Sequence, residues 1–194
     1  MKKMRVVQPS DAASILEIYT PYILNTAVTF ETEIPSADSF EERIKHYTEK
    51  WPWIVYEENG ALAGYAYATK HRERLAYQWC VESSVYVGDK FQRKGIASKL
   101  YNALFEVLRL QGFINIYAGI TLPNDKSIAF HEQFGFTNFV YYKNVGYKLG
   151  EWRTVGWWQK QINTYEKQPS TPLNFADMDN NLIRAALSEN GFKK

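Results

Sequence analysis

The sequence is poor in cysteine and contains no long hydrophobic run. Cys80 is the single cysteine among 194 residues, so no disulfide can form within the chain. No stretch approaches the roughly 18 consecutive apolar residues that a membrane helix needs, and the basic first residues lack the apolar segment of a signal peptide. These absences predict a soluble protein of the reducing cytoplasm with no membrane partner.

An excess of one charge is also missing. The chain has 23 Lys and Arg against 21 Asp and Glu, a formal net charge of +2, so no strong field favours nucleic acid or an acidic membrane. The length suits one domain with a sizeable core. Aromatic residues make up 16% of the chain. That surplus favours large side chains in the core and at a subunit interface over a dedicated aromatic ligand cage.

The order of predicted elements indicates a mixed α/β domain, not a regular βαβ repeat. Strands are predicted at residues 4–7, 53–58, 61–69, 78–87, 114–120, 139–142 and 155–161, and helices from about residue 10 and over 36–49, 95–111 and 123–135. Pro21 is expected to interrupt the first helix. Beyond residue 163 the chain is polar up to residues 181–187, which leaves a docked helix or partial disorder open.

The most informative segment joins a strand ending at Val85, Tyr86 and Val87 to a helix. It consists of Gln92, Arg93, Lys94, Gly95, Ile96, Ala97 and Ser98. Free N–H groups at a helix start bind anions, Gly95 allows close approach of a phosphate, and Arg93 and Lys94 add positive charge. The loop lacks the glycine pattern of the P-loop and of dinucleotide folds. An ordinary helix start beside a solvated basic turn explains the same residues about equally well.

The segment from Gln92 to Ala97 resembles the Gln/Arg-x-x-Gly-x-Gly/Ala signature of the GCN5-related N-acetyltransferase (GNAT) superfamily. Similarity to the phosphinothricin and methionine sulfoximine/sulfone acetyltransferases within it continues through residues 29–33, 65–68, 81–87, 122–125, 131–136 and 146–152. The resemblance implies a GNAT domain over residues 1–163, with a splayed sheet flanked by helices, and a C-terminal extension of unknown role over residues 164–194. It also implies acetyl-CoA as co-substrate, with its pyrophosphate on the loop amides and its pantetheine along Val85 to Val87.

The short helix after Pro123 carries three polar side chains on one face. Asn124, Ser127 and His131 follow the spacing i, i+3 and i+7. By spacing alone Asn124 is a plain helix cap and His131 a structural or solvated histidine. The resemblance implies that Asn124 and Ser127 lie along the pantetheine. It places His131 near the cofactor sulfur, where protonating a thiolate, ordering a water and simple positioning all stay open.

Glu82 lies within a predicted strand between hydrophobic residues. Strand alternation puts it on the face opposite Val81 and Val85, and burial there would raise its pKa. From the pattern alone, a solvated or ion-paired glutamate is the simpler interpretation. The resemblance implies instead that Glu82 is the general base that accepts the proton of the acceptor amine.

The connection before this strand is basic and aromatic. Guanidinium groups clamp carboxylates, although an exposed basic loop is the ordinary fate of such residues. By resemblance, Arg72, Arg74 and Tyr77 are candidates to hold the acceptor, and Phe30 and Glu31 are expected to line its pocket. Cys80 is interpreted as a small hydrophobic residue, not as a nucleophile.

Together these features predict an N-acetyltransferase that acts on a small amino-acid-like amine, without a metal and without nucleic acid, as a homodimer. A GNAT enzyme for another amine and a non-catalytic CoA-binding module remain alternatives. Basic instead of acidic residues near the acceptor argue against a polycationic substrate, and the presence of Glu82 argues against loss of catalysis.

Overall fold

A computed structural model describes residues 2–188. The strands are β1 (Lys2–Val6), β2 (Trp53–Glu58), β3 (Ala61–Lys70), β4 (Cys80–Val87), β5 (Asn115–Thr121), β6 (Thr137–Lys148) and β7 (Glu151–Gln161). The helices are α1 (Ala12–Asn25), α2 (Ala37–Lys50), α3 (Ile96–Gln111), α4 (Asp125–Gln133) and α5 (Asn180–Leu187). No helix within this range is long and apolar enough to cross a membrane.

The seven strands form one sheet in the order β1-β2-β3-β4-β5-β7-β6. All neighbours pair antiparallel except β4 and β5, which are parallel. One core cluster packs α3 and α5 on one face of the sheet, and the other packs α1 and α2 on the opposite face. The predicted mixed α/β sheet flanked by helices is confirmed.

Local sequence explains most element boundaries. Ser36 caps α2 by accepting a hydrogen bond from the Ser39 amide. Asn59 and Gly60 form the hairpin turn between β2 and β3, and both have positive φ. Gly112 ends α3 in the left-handed conformation, as expected for a C-terminal glycine.

The prediction that Pro21 interrupts the first helix is wrong. Helix α1 continues through Pro21 to Asn25. A proline inside a helix removes one backbone hydrogen bond and costs about 3 kcal/mol. Tyr19 and Ile23, on either side of Pro21, are 4% and 1% exposed in the core. Their packing holds the helix together across the defect.

The last two strands are longer than predicted. β6 extends to Lys148 and β7 begins at Glu151, joined by a tight turn in which Leu149 and Gly150 both have positive φ. The register between them shifts twice, so the alternation of apolar and polar residues is broken. Because of this irregularity, a search for period-two alternation of apolar residues missed the outer half of the hairpin.

The segment after residue 163 docks on the domain as far as the structure describes it. Phe175, Met178, Ile183 and Ala186 are buried in the same core cluster as α3. The predicted helix near the end is α5. Of the two alternatives for this segment, residues 164–188 follow the docked one, and residues 189–194 lie outside the described range.

Candidate active site

The centre of the sheet opens between β4 and β5. Their pairing covers Cys80 to Glu82 against Asn115 to Tyr117 in the described part of the chain. On its other side β4 stays paired with β3 up to Val87. The edge of β4 at Val85 to Val87 therefore has no strand partner on the β5 side, and an extended ligand arm can pair there. The Tyr86 side chain packs in the core beside α1, so only the backbone of this residue faces the opening.

Helix α3 begins at the end of this opening. Arg93 and Gly95 have φ values of 61° and 73°, and no atom lies within 4 Å of a Cβ built on Gly95. The first backbone acceptor in the helix serves the Lys99 amide, so the amides of residues 96–98 remain available to an anion. The Ile96 side chain is buried and contributes its amide only.

The side chains of the loop have mixed roles. Gln92 donates to Asp89 at 2.9 Å, and Lys94 lies 3.5 Å from Glu58 and 5.1 Å from the centre of the Phe91 ring. Arg93 is exposed, and Ala97 and Ser98 are half-buried. The loop thus presents amides and a positive surface, which are the groups that a pyrophosphate needs.

Two adjoining cavities lie along β5 and β7. The first, about 390 Å³, is lined by residues 25–28, residues 121–124, Leu149 and Arg153. The second, about 310 Å³, shares Val28 and Thr121 with it and has an apolar wall that includes Phe30 and Trp157. Asn124, at the start of α4, accepts from the Ser127 amide and faces the first cavity. The two cavities therefore adjoin, and the second is the more apolar of them.

Glu82 lies where β4 and β5 separate. Its side chain is 34% exposed, and Oε1 is 3.0 Å from Nδ1 of His71. Burial raises the pKa of Glu82 to about 7, and the positive charge of Arg72 offsets this only in part. A carboxyl that titrates near neutral pH suits proton transfer from an amine.

His131 lies on the other face of the sheet and is 6% exposed. Its Nδ1 is 2.7 Å from the Ser127 carbonyl oxygen, so Nδ1 carries the proton and donates it there. Nε2 is 3.0 Å from the Tyr101 hydroxyl and can accept from it, while Ser83 lies 3.4 Å from the same hydroxyl. Burial lowers the pKa of His131, so the imidazole is held neutral.

The acceptor candidates are dispersed over two cavities. Phe30 lines the second cavity, and Arg72 lies 3.4 Å from the hydroxyl of Tyr142 on the same wall. Arg72, Arg74 and Tyr77 also line a third cavity, of about 180 Å³, against residues 171–174. The structure therefore does not bring Arg74 and Tyr77 to the wall that contains Phe30.

Glu31 has a structural partner. It forms an ion pair with Arg43 at 2.6 Å, and Lys148 donates to the Thr29 carbonyl at 2.7 Å on the same loop. Lys148 is 5% exposed, and burial lowers its pKa. These bonds hold the loop that carries Phe30, and the Glu31 carboxylate is engaged by Arg43.

Sequence reasoning missed His71 and Tyr101. His71 directly follows β3, whose last residue pairs with Val81, so a strand register would have placed it near Glu82. Tyr101 follows the apolar spacing of α3 and is indistinguishable from a core aromatic. Cys80 is half-buried, and burial raises the pKa of its thiol, which agrees with its interpretation as a non-nucleophile.

A splayed sheet, a helix start with free amides and a carboxyl that titrates near neutral pH together fit an acyl-transferase of the kind that uses a phosphate-bearing thioester. Residues 4–157 match the family described as "Acetyltransferase (GNAT) domain". The chain belongs to the GNAT acetyltransferase family, and it is an acetyl-CoA-dependent N-acetyltransferase.

Curated relatives and solved structures agree with this assignment. The chain is 38% identical over 160 residues to phosphinothricin N-acetyltransferase of Streptomyces viridochromogenes, covering 82% of this chain and 87% of the relative. It is 32% identical to L-methionine sulfoximine/L-methionine sulfone acetyltransferase of Salmonella typhimurium, covering 84% and 95%. The structure of a phosphinothricin acetyltransferase from Sinorhizobium meliloti in complex with acetyl-CoA superposes with a TM-score of 0.81 at 30% identity, covering 90% and 98%.

Proposed function

We propose that the chain transfers acetyl from acetyl-CoA directly to the α-amino group of a small amino-acid-like acceptor of the phosphinothricin, methionine sulfoximine or methionine sulfone type. The names of two relatives support this acceptor class. The observation that carries the proposal is Glu82, half-buried at the point where β4 and β5 separate and with a pKa raised to about 7.

The groups that fit acetyl-CoA lie along the opening. The amides of Gly95 to Ser98, with Gln92, Arg93 and Lys94 beside them, suit the pyrophosphate. The backbone of Val85 to Val87 suits the pantetheine, with Asn124 and Ser127 opposite. When bound, acetyl-CoA supplies a thioester carbonyl that an amine can attack.

Glu82 is the proton acceptor in this proposal. An α-amino group is largely protonated near pH 7, so it must lose a proton before it can attack. Glu82 takes that proton, directly or through a water. The amine nitrogen then bonds to the carbonyl carbon, and the bond from that carbon to sulfur breaks with both electrons going to sulfur. The second proton lost by the nitrogen passes to that sulfur, directly or through water. A backbone N–H near Val85 can stabilise the negative charge that develops on the carbonyl oxygen.

For His131 we propose a positioning role. A neutral imidazole that already donates from Nδ1 has no proton on Nε2 to give to a thiolate. Its Nε2 can hold the hydroxyl of Tyr101, which lies beside Ser83 of β4. Of the roles open from the sequence, positioning is the one that these hydrogen bonds favour.

The acceptor end combines an apolar wall with guanidinium groups. Phe30 and Trp157 can pack on the carbon chain of an amino acid, and Arg72 can pair with its carboxylate or with the oxygens of a phosphinyl or sulfone group. Arg74 lines the third cavity and can contact an acceptor that extends into it, and Tyr77 lies both on that cavity and beside His71.

We also propose a cytoplasmic homodimer. The β6–β7 hairpin, at the edge of the sheet, exposes a group of large apolar side chains: Phe139, Tyr141, Val145, Tyr147, Leu149 and Trp152. An exposed edge strand with such a surface favours a partner copy. A single cysteine suits a reducing compartment.

Thiol release from acetyl-CoA tests the reaction, with phosphinothricin, methionine sulfoximine and methionine sulfone as acceptors. Wild type should turn over at least one of them, and Glu82→Gln should lower kcat/KM at pH 7 by about a hundredfold or more, because the carboxylate is lost in a side chain of the same shape. Binding of acetyl-CoA should be unchanged in the variant. Full activity in Glu82→Gln would refute the assigned base, and absence of turnover with all three acceptors would refute the acceptor class.

A further inference from the structure

The base proposed above has a close neighbour that the sequence did not reveal. Nδ1 of His71 lies 3.0 Å from Oε1 of Glu82. We propose that His71 is a positioning residue, whose Nδ1–H holds the Glu82 carboxylate in the orientation that meets the acceptor amine. This inference rests on the proposed function in which Glu82 is the base.

The relative burial of the two side chains supports this order of roles. The His71 side chain is 12% exposed and that of Glu82 is 34% exposed. The imidazole is therefore the more buried of the two groups, and the carboxylate keeps part of its surface open to an acceptor. A residue in that place can orient the base without contacting the substrate.

Aromatic rings fix the plane of the imidazole. Tyr117 stacks on His71 with ring centres 4.2 Å apart and an angle of 12° between the planes. The ring centre of Trp157 lies 6.0 Å from that of His71 with 74° between the planes, and the ring centre of Tyr77 lies 6.4 Å away with 78° between the planes. Tyr117 is also the residue that pairs with Glu82 in the parallel register. One strand pair thus sets the carboxylate and the plane of the ring that meets it.

The charge state of the surroundings favours a neutral donor. Burial, followed by the positive charge of Arg72, lowers the pKa of His71. The other titratable groups that face the pair are Tyr77, Tyr117 and Cys80, and burial raises the pKa of Tyr117 and Cys80, so both stay uncharged. A neutral imidazole with its proton on Nδ1 stabilises the ionised form of Glu82. Removal of this donor should therefore raise the pKa of Glu82.

Two substitutions distinguish the contribution of the His71 N–H donor from that of its flat ring. His71→Phe keeps a flat ring for Tyr117 and removes the N–H. His71→Asn places an amide N–H close to the Nδ1 position and removes Nε2. Activity as a function of pH should show the acid limb of kcat/KM moved up by about one pH unit in His71→Phe, with a loss of about tenfold at pH 6 that disappears at high pH. His71→Asn should keep the wild-type limb.

Other outcomes overturn the inference. An unmoved acid limb in His71→Phe would leave His71 a packing residue. A loss in His71→Asn as large as in Glu82→Gln at every pH would make His71 itself the proton acceptor. The pKa of Glu82, followed by ¹³C NMR of its carboxyl carbon, gives the same comparison without turnover, and His71→Leu replaces His71→Phe if the latter does not fold. Full activity in Glu82→Gln would refute the proposed base, whereas a Glu82-dependent reaction with unaffected His71→Phe would refute the present inference alone.

Discussion

Two hydrogen-bonded pairs flank the point where β4 and β5 separate, one on each face of the sheet. Glu82 and His71 lie on the face that packs α1 and α2, and His131 and Tyr101 lie on the face that packs α3. The first pair keeps a partly open carboxylate, whereas Tyr101 is fully buried and His131 is 6% exposed. The first pair can exchange protons with a ligand, while the second is built into the core.

Burial favours the neutral form of one titratable group in each pair. It opposes ionisation of Glu82 as pH rises and protonation of His131 as pH falls. Burial raises the pKa of Glu82 and lowers the pKa of His131. The carboxyl is therefore costly to the folded state at high pH and the imidazole at low pH. The comparison teaches that burial can raise the pKa of the candidate base on one face and keep His131 a neutral hydrogen-bond acceptor on the other.

The largest expected effect is a loss of stability when the buried pair is truncated, compared with no loss at the partly exposed pair. Tyr101→Ala should lower the free energy of unfolding by about 3–5 kcal/mol, because it opens a cavity among packed aromatic rings in the core. Glu82→Gln, which preserves shape at a partly exposed position, serves as the matched control and should not be destabilised. Urea unfolding at pH 7 measures both. Similar losses in the two variants would remove the distinction between a core pair and an open pair.

An intermediate effect concerns pH. The pKa of Glu82 rises from its ordinary 4.5 to about 7 on folding, so the folded state binds this proton more tightly than the unfolded state. Stability is therefore lost as pH rises from about 4.5 to about 7. Glu82→Gln should gain about 1–2 kcal/mol relative to wild type between pH 5 and pH 8, after allowance for screening at a side chain that is one-third exposed.

Urea unfolding of wild type and Glu82→Gln at several pH values measures this difference. Because His131 is present in both proteins, its own titration cancels in the comparison. If the difference in free energy of unfolding stays constant over this pH range, Glu82 has an ordinary pKa in the folded protein. Its proposed role as a base that titrates near neutral pH would then be refuted.

The smallest expected effect tests whether the two pairs act independently. Tyr101→Phe removes the hydroxyl that faces His131 and should cost about 1 kcal/mol of stability. kcat should fall a few-fold, and the acid limb of the pH–rate profile should stay in place, because the proposed function assigns that limb to Glu82. Steady-state kinetics from pH 5.5 to pH 9 measures both. A shift of half a pH unit or more would show that the pairs are coupled across the sheet.

Features that depend on nearby residues were predictable. The start of α3 at Gly95, its end at Gly112 and the turn at Asn59 and Gly60 follow from backbone preferences that act over a few positions. The position of Glu82 on the face opposite Val81 follows from strand alternation. The continuation of α1 through Pro21 did not follow, because core packing outweighed a local preference.

By itself, the sequence determined the mixed sheet and the glycine-initiated start of α3, since each is encoded in a short run of residues, whereas only family resemblance pointed to Glu82 as the candidate base. The tertiary structure alone decided the partners. His71 meets Glu82 through the register of β3 on β4, Tyr117 aligns the ring from β5, and Arg43 draws Glu31 into an ion pair. The protonation behaviour of Glu82 and His131 likewise depends on water excluded by distant elements, and burial of that kind is a property of the packed fold, not of a segment.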